Sequence, residues 1–283
     1  MKPGVASIRK ELDGIYSREE IESLIFLIFE KLKGYSRTQF LLASENEITP
    51  EEKLKIDQII GRLKRHEPIQ YILGETEFYG LPIRTVPGTL IPRPETEELV
   101  QWIVQETRIA KPAILDIGTG TGCIAVSLRK NIQDSTVWAC DISPVCIETT
   151  RQNALLNHVE ISVLKFDVLG SEPATDFPAF DVIVSNPPYV RQSEKLLMQK
   201  NVLDFEPELA LFVDDDDPLI FYRRMAEFAQ THLKNGGRLY FEINEAFGKE
   251  CSEMLQGKGF SEVRIKKDLQ QKDRMLAAKW VKS

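Results

Sequence analysis

Four consecutive residues, Asn186-Pro187-Pro188-Tyr189, join a side-chain amide, two prolines and a flat aromatic ring. The prolines fix the backbone and remove two N–H donors, which leaves carbonyl oxygens as acceptors. An acceptor-rich rim suits a substrate NH2 group. An amide or amine nitrogen of this planar kind has a delocalised lone pair and attacks poorly. Accepting hydrogen bonds from both of its hydrogens orients that lone pair toward an electrophile. Asn186 Oδ1 and the Pro187 carbonyl are the natural acceptors, and Tyr189 offers a face on which the planar group can stack. Asn186, Pro187 and Tyr189 are therefore the candidate catalytic residues, and Asn186, Pro187, Pro188 and Tyr189 together the candidate substrate rim. Alignment of this kind supplies on the order of 7 to 11 kcal/mol of a barrier without a metal. The plain alternative is a rigid turn that ends a strand.

The electrophile is suggested by a second run, Ile114-Leu115-Asp116-Ile117-Gly118-Thr119-Gly120-Thr121-Gly122, an apolar stretch that enters a glycine-rich turn and then a helical pattern. Glycines there let the backbone approach a ligand closely. A dinucleotide fingerprint reads G-x-G-x-x-G with an acid after it; this turn reads G-x-G-x-G with Asp116 before it. A pyrophosphate gains from bare N–H groups, whereas a cationic sulfonium that carries an amino acid gains from a nearby carboxylate. S-adenosylmethionine is the cofactor this pattern expects. Gly118, Thr119, Gly120, Thr121 and Gly122 are its candidate contacts. Asp141, at the end of the next strand-like run, is placed to accept from both ribose hydroxyls through charge-assisted bonds worth roughly 1.5 to 3 kcal/mol each. Asp167, after the third run, could accept from the adenine amino group, with Val168 or Phe166 against the ring. Solvated acids at strand ends are the competing reading of each. Methyl transfer to a planar nitrogen is the chemistry the two runs share.

The elements that must position these residues alternate. Ala113 to Ile117, Thr136 to Cys140, Ile161 to Phe166, Phe180 to Ser185 and Gly237 to Ile243 are short apolar runs separated by helical patterns, which predicts a parallel sheet covered on both faces. Val263 to Ile265 and Met275 to Val281 follow with no helix between them, so a closing antiparallel pair is expected. Both chemical motifs then fall at carboxyl ends of strands, where open sheets of this kind collect ligands.

Upstream the pattern is different. From Ile8 to about Gln70 apolar residues recur at three- and four-residue spacing, as in Ile21, Leu24, Ile25, Ile28, Phe29 and Leu32, and this predicts a small helix bundle. Ser17 with Glu20 and Thr49 with Glu52 have capping-box spacing, Pro50 sits at a first helical position and Gly34 marks a stop. Gly74 to Pro94 reads as a hairpin-like linker, with Phe78-Tyr79 and Leu81 to Arg84 punctuated by Gly80 and Pro87-Gly88. The domains expected are 1–73, a linker over 74–94, and 95–283.

Bulk properties narrow the partners. The 283 residues carry a net charge of −7, which argues against a nucleic-acid substrate that must be gripped by its phosphates. No apolar run approaches the ~20 residues of a membrane span, and the start lacks a signal h-region, so a cytoplasmic protein without membrane contact is expected. Cys123, Cys140, Cys146 and Cys251 form no C-x-x-C pair and read as buried thiols, with no metal site. Asp214-Asp215-Asp216-Asp217 reads as a solvated loop before a helix.

Taken together, Leu90-Ile91-Pro92-Arg93-Pro94-Glu95-Thr96-Glu97, Asp116 to Gly122, Ser185 to Tyr189 and Phe205-Glu206-Pro207 resemble the protein-glutamine methyltransferases that modify class 1 peptide chain release factors, usually called PrmC or HemK. The resemblance spans nearly the whole chain. It implies an α/β fold: a class I methyltransferase, Rossmann-like seven-stranded sheet, mostly parallel with an antiparallel last hairpin, preceded by a helical bundle that grips the release factor. It implies that Gly118 to Gly122, Asp141, Val168 and Asn186 contact S-adenosylmethionine, and that Asn186 to Tyr189 hold the glutamine of a Gly-Gly-Gln motif. Val168 stands where relatives carry an aromatic residue, and Lys267 where they often have arginine. Arg93, Glu95 and Glu97 suit either a structural ion pair or a ligand contact, and a monomer is expected. Two other readings remain at this level. One is a nucleic-acid adenine-N6 methyltransferase, whose substrate presents the same NH2 and which must usually flip a base. The other is a binding module that has kept the fold and lost the chemistry.

Overall fold

The computed structural model describes residues 2–42, 48–170 and 177–282. The chain divides into two compact units, Met1–Gly74 with Gln199–Phe205, and Glu75–Met198 with Glu206–Ser283. Of the helical reading over 8–70, residues 43–47 lie outside the described residues.

The first unit contains α1 (Lys2–Leu12), α2 (Arg18–Lys33), α3 (Arg37–Leu42), α4 (Pro50–Leu63) and α5 (Ile69–Leu73). Both capping boxes form. Ser17 accepts from the Glu20 amide while Glu20 reaches back to the Ser17 amide, and Thr49 and Glu52 do the same for α4, which starts on Pro50. Gly34 ends α2 in the left-handed region, as a residue without a Cβ does at least cost. The stripe Ile21, Leu24, Ile25, Ile28 and Phe29 packs with Ile8 and Leu12 of α1 and Ile56, Ile59, Ile60 and Leu63 of α4. Each such side chain, once buried, contributes about 1.5 to 3 kcal/mol.

The second unit opens with the antiparallel hairpin β1 (Glu75–Phe78) and β2 (Leu81–Arg84) and continues with α6 (Pro94–Glu106), β3 (Ala113–Ile117), α7 (Cys123–Asn131), β4 (Thr136–Asp141), α8 (Pro144–Leu156), β5 (Ser162–Lys165), β6 (Phe180–Ser185) and β7 (Val190–Arg191). After the short helix α9 (Lys200–Phe205), which groups with the first unit, come α10 (Glu208–Leu211), β8 (Phe212–Val213), α11 (Ile220–His232), β9 (Leu233–Glu242), α12 (Gly248–Gly257), β10 (Phe260–Lys267) and β11 (Asp273–Trp280).

Seven strands form one sheet in the order β10-β11-β9-β6-β3-β4-β5. The pairs from β9 to β5 are parallel, and β11 pairs antiparallel with both β9 and β10. This is the expected seven-stranded sheet with its reversed final hairpin. From β3 the chain first adds β4 and β5 on one side and then returns to add β6 on the other, so the strand order reverses between β3 and β6. Such a switch point opens a crevice at the carboxyl ends.

Alternation along the strands sorts the core. Ile114, Val182, Val184, Tyr240 and Met275 face one side and pack with α6, α7, α8 and the β1–β2 hairpin. Leu115, Ile117, Ile183, Leu239, Phe241 and Leu276 face the other and pack with α11 and α12. Because side chains alternate with a period of two, Asp116 and Glu242 are carried onto the first of these faces. All four cysteines are buried and free, and the Asp214 to Asp217 loop is exposed over Asp214, Asp215 and Asp216 ahead of α11.

Candidate active site at the switch point

The glycine turn leaves β3 and is tied on both sides. Gly118 and Thr119 donate backbone N–H groups to the Cys140 carbonyl at 2.8 and 3.0 Å, and Gly120 donates to Asp141 Oδ2 at 2.9 Å. From α8, Thr150 donates to the Gly120 carbonyl at 3.2 Å and Asn153 Nδ2 to the Thr121 carbonyl at 2.8 Å. Asn153 also exchanges two hydrogen bonds with the backbone of Arg84, which couples the hairpin to the turn. Gly122 shows why a side chain is excluded. Its φ is +80°, and a Cβ would sit 2.7 Å from Thr150 Cγ2 and 3.1 Å from Thr150 Cα. At Gly120, by contrast, a Cβ would meet nothing within 4 Å, so the turn has open space above it.

Two carboxyls lie close to the turn, Asp116 beneath it and Asp141 beside it. Asp116 is fully buried, and burial pushes its carboxyl up to about 7. Thr119 donates to its Oδ2 at 2.6 Å, and the Ala125 amide in the first turn of α7 also works against the rise. Asp141 is also buried, its carboxyl raised by desolvation and eased by the amides of Ser143 and Gly120. Asp141 beside an open glycine turn fits a ligand that brings hydroxyl donors, and the buried carboxyl of Asp116 beneath the turn favours a ligand that brings a positive charge. Asp167 lies two residues beyond β5, exposed, with Oδ1 accepting from the Leu169 amide at 2.9 Å. Phe166 is a buried member of the second core cluster, and Val168 packs against that cluster.

Across the switch point, Ser185 ends β6 and donates its hydroxyl to the Ile117 carbonyl at 2.6 Å. That bond brings the start of Asn186-Pro187-Pro188-Tyr189 beside the start of the glycine turn. Asn186 is partly buried and donates from Nδ2 to Thr96 Oγ1 at 3.2 Å. Thr96 in turn donates to Glu242 Oε2 at 2.6 Å, and the Tyr189 hydroxyl donates to Glu242 Oε1 at 2.9 Å. Asn244 Nδ2 holds the Tyr189 carbonyl at 3.1 Å. Glu242 is 1% exposed, and burial raises its carboxyl while Thr96 and Tyr189 work against that rise. Burial next to Glu242 holds the Tyr189 hydroxyl firmly protonated. The sequence reading offered Tyr189 as a stacking face; the structure adds that its far edge is anchored.

Thr96 and Glu242 were not singled out as site residues from the sequence. A signal was present for each. Thr96 starts the buried stripe Thr96, Leu99, Val100 and Ile103 of α6, and Glu242 is the one charged side chain in the buried end of β9, Leu239 to Glu242. Arg93 pairs with Glu206 Oε1 at 2.6 Å, and Glu206 Oε2 accepts from the Ile91 amide at 3.2 Å. Glu97 accepts from the Tyr79 amide at 2.8 Å. Among the described residues no group of His, Cys, Asp or Glu could hold a metal ion, and no helix is long and apolar enough to cross a membrane.

Comparison with known proteins adds a family to this geometry. Residues 6–74 match the family model described as the PrmC N-terminal domain, and residues 95–204 match that of the methyltransferase small domain. A release factor glutamine methyltransferase of Flavobacterium psychrophilum is 45% identical over 269 residues, 94% of this chain and 94% of that protein. One of Bacteroides thetaiotaomicron is 45% identical over 273 residues, 96% of this chain and 98% of that protein. Among solved structures, a methyltransferase from Pyrococcus furiosus aligns with a TM-score of 0.53 at 19% identity, over 83% of this chain and 100% of that one, a likeness of fold.

Proposed function

The chain belongs to the release factor glutamine methyltransferase family, and from that premise we propose that it moves the methyl group of S-adenosylmethionine to the side-chain amide nitrogen of the glutamine in the Gly-Gly-Gln motif of class 1 peptide chain release factors. The observation that carries this reading is the Asn186 amide. One hydrogen of its NH2 goes to Thr96, and among the described residues its Oδ1 makes no hydrogen bond, so an acceptor is left for a substrate NH2.

The residues present fit the cofactor. Gly118, Thr119, Gly120, Thr121 and Gly122 border it, Asp116 supports the charge, Asp141 receives the ribose hydroxyls, and Asp167 and Val168 serve the adenine. When bound, S-adenosylmethionine supplies an electrophilic methyl group on a sulfonium. The protein does the rest by placement. Asn186 Oδ1 and the Pro187 carbonyl accept the two amide hydrogens and turn the nitrogen lone pair outward. Pro188 keeps this rim stiff, and the Tyr189 ring, clamped at its hydroxyl, supports the planar amide. Alignment supplies on the order of 7 to 11 kcal/mol, and the nitrogen sheds its proton after transfer, when that proton has become acidic. The helical unit, whose sequence matches the PrmC N-terminal model, is the part proposed to grip the release factor. The enzyme is proposed to act as a monomer in the cytoplasm, with no direct nucleic-acid contact, in keeping with its net charge of −7.

The test is incubation of the chain with methyl-labelled S-adenosylmethionine and either a purified release factor or the same factor with its Gly-Gly-Gln glutamine replaced. Label should enter the first and not the second. Equal labelling of both, or labelling of neither, removes the assignment. Asp141→Ala should abolish cofactor binding in calorimetry, whereas Asn186→Ala should spare binding and abolish turnover.

A further inference from the structure

We propose that Glu242, acting through Thr96, sets which way round the Asn186 side-chain amide sits, and so acts as the positioning residue that makes the site an acceptor of NH2 groups. The proposal rests on the functional reading above and deepens it.

An amide side chain has two nearly isosteric orientations, one showing oxygen to the substrate and the other showing NH2. Only the first can receive a glutamine NH2. The neighbouring Pro187 and Pro188 have no N–H and cannot bias the choice. Thr96 can, because its hydroxyl has one proton. Glu242 lies one residue past the Ser185–Phe241 register pair of β6 and β9, on the face covered by α6. Its Oε2 takes the Thr96 proton at 2.6 Å and its Oε1 takes the Tyr189 proton at 2.9 Å. With its proton committed, Thr96 Oγ1 has only lone pairs to offer, so Asn186 must present Nδ2 to it, at 3.2 Å, and Oδ1 to the site.

Protonation of Glu242 reverses the chain. A carboxylic acid donates its proton to Thr96 Oγ1; the threonine hydroxyl then turns to Asn186, and the amide flips to accept it. The substrate NH2 would then face another NH2. The groups that face Glu242 are mixed in effect. Thr96 and Glu95 come from α6, Cys123 from α7, Tyr189 from the segment after β6, Tyr222 from α11 and Arg274 from β11. Arg274 and the two hydroxyl donors favour the ionised form, while burial and Glu95 oppose it. Turnover should therefore fall as pH drops through the raised Glu242 titration, with Asn186 itself having no proton to lose.

Two measurements on the full chain test this. In the first, side-chain amide spectra of 15N-asparagine-labelled protein report Asn186 without any substrate. The NH2 resonance should show proximity to Thr96 at pH 8, should shift with a single titration as pH falls, and should lose that titration in Glu242→Gln. An Asn186 amide signal that is blind to pH, or that titrates identically in Glu242→Gln, overturns the proposal. In the second, steady-state kinetics with a release factor should show kcat reduced at least tenfold in Glu242→Leu, which leaves no acceptor for the Thr96 proton, and in Thr96→Val, with KM values for both substrates changed less than twofold. Thr96→Ser should recover most of the Thr96→Val loss. Retention of kcat within twofold in Glu242→Leu, or a Thr96→Ser defect equal to that of Thr96→Val, also overturns it. A wild-type chain that labels no release factor refutes the functional reading, while the amide spectra still decide the orientation.

Discussion

Breaking the Arg93–Glu206 pair from either side should cost unequal amounts, and the asymmetry follows from exposure. The Glu206 side chain is 1% exposed and the Arg93 side chain 32%. In Arg93→Ala the carboxylate stays buried with only the Ile91 amide, at 3.2 Å, to compensate its charge. An uncompensated charge of this kind costs about 3 to 5 kcal/mol. In Glu206→Gln the buried group becomes neutral and keeps its shape, and Arg93, a third exposed, turns to water. What is lost is the difference between a charge-assisted and a neutral hydrogen bond, about 1 to 2 kcal/mol. For a unit of this size a kcal/mol corresponds to roughly 2 to 4 °C in Tm. Scanning calorimetry of the full chain should then show a fall of about 10 °C for Arg93→Ala and about 4 °C for Glu206→Gln. The double variant should lie nearer the milder single one, because removing the arginine no longer strands a charge. A Glu206→Gln melting point equal to or below that of Arg93→Ala would refute this reasoning, as would shifts below 1 °C in both.

Other consequences are open to the same instruments. Asp116 is an acid raised to about 7, so the folded state binds its proton between about pH 4 and 7 while the unfolded chain does not; stability should decline across that window as pH rises, by on the order of 4 kcal/mol from this group, and Asp116→Asn should remove the slope in urea midpoints. Glu106 behaves oppositely. Its hydrogen bond to Arg264 leads the causes that lower it to about 2, with Trp102 and Tyr240 also donating to it; its contribution is present above its ordinary range and lost as pH falls toward 2. Discounted for its exposure, Glu106→Gln should cost about 1 kcal/mol at pH 7 and almost nothing at pH 2. Gly122→Ala combines a left-handed φ with a clash against Thr150 and should lower cofactor affinity more than tenfold in calorimetry, whereas Gly257→Ala, in open space near the end of α12, should leave it unchanged.

Much of the architecture was legible because it is written locally. The three- and four-residue apolar spacing of α2 and α4, with their capping boxes, can be read within one or two turns of chain. Strand alternation and the missing helix between the last two strands likewise announce the mixed sheet. The strand ends were less legible. The third apolar run extends to Phe166, yet β5 stops at Lys165, where the pairing with β4 reaches Asp141, and no local pattern marks that point.

The sequence by itself determined which residue types stand at the two strand ends: a glycine turn after an acid, and an acceptor-rich N-P-P-Y. Only the tertiary structure decided what those residues are attached to. Asn186 meets Thr96 from α6, Thr96 meets Glu242 from β9, and Glu242 receives Tyr189. These four come from three places in the chain, α6, the segment after β6 and the end of β9, and their meeting depends on sheet order, register and the packing of α6 on one face. Hydrogen bonds of this length need partners placed to within a few tenths of an ångström, and no periodicity along the chain encodes that. The orientation of one amide, on which acceptance of a substrate NH2 depends, is accordingly a property of the assembled core and not of the tetrapeptide.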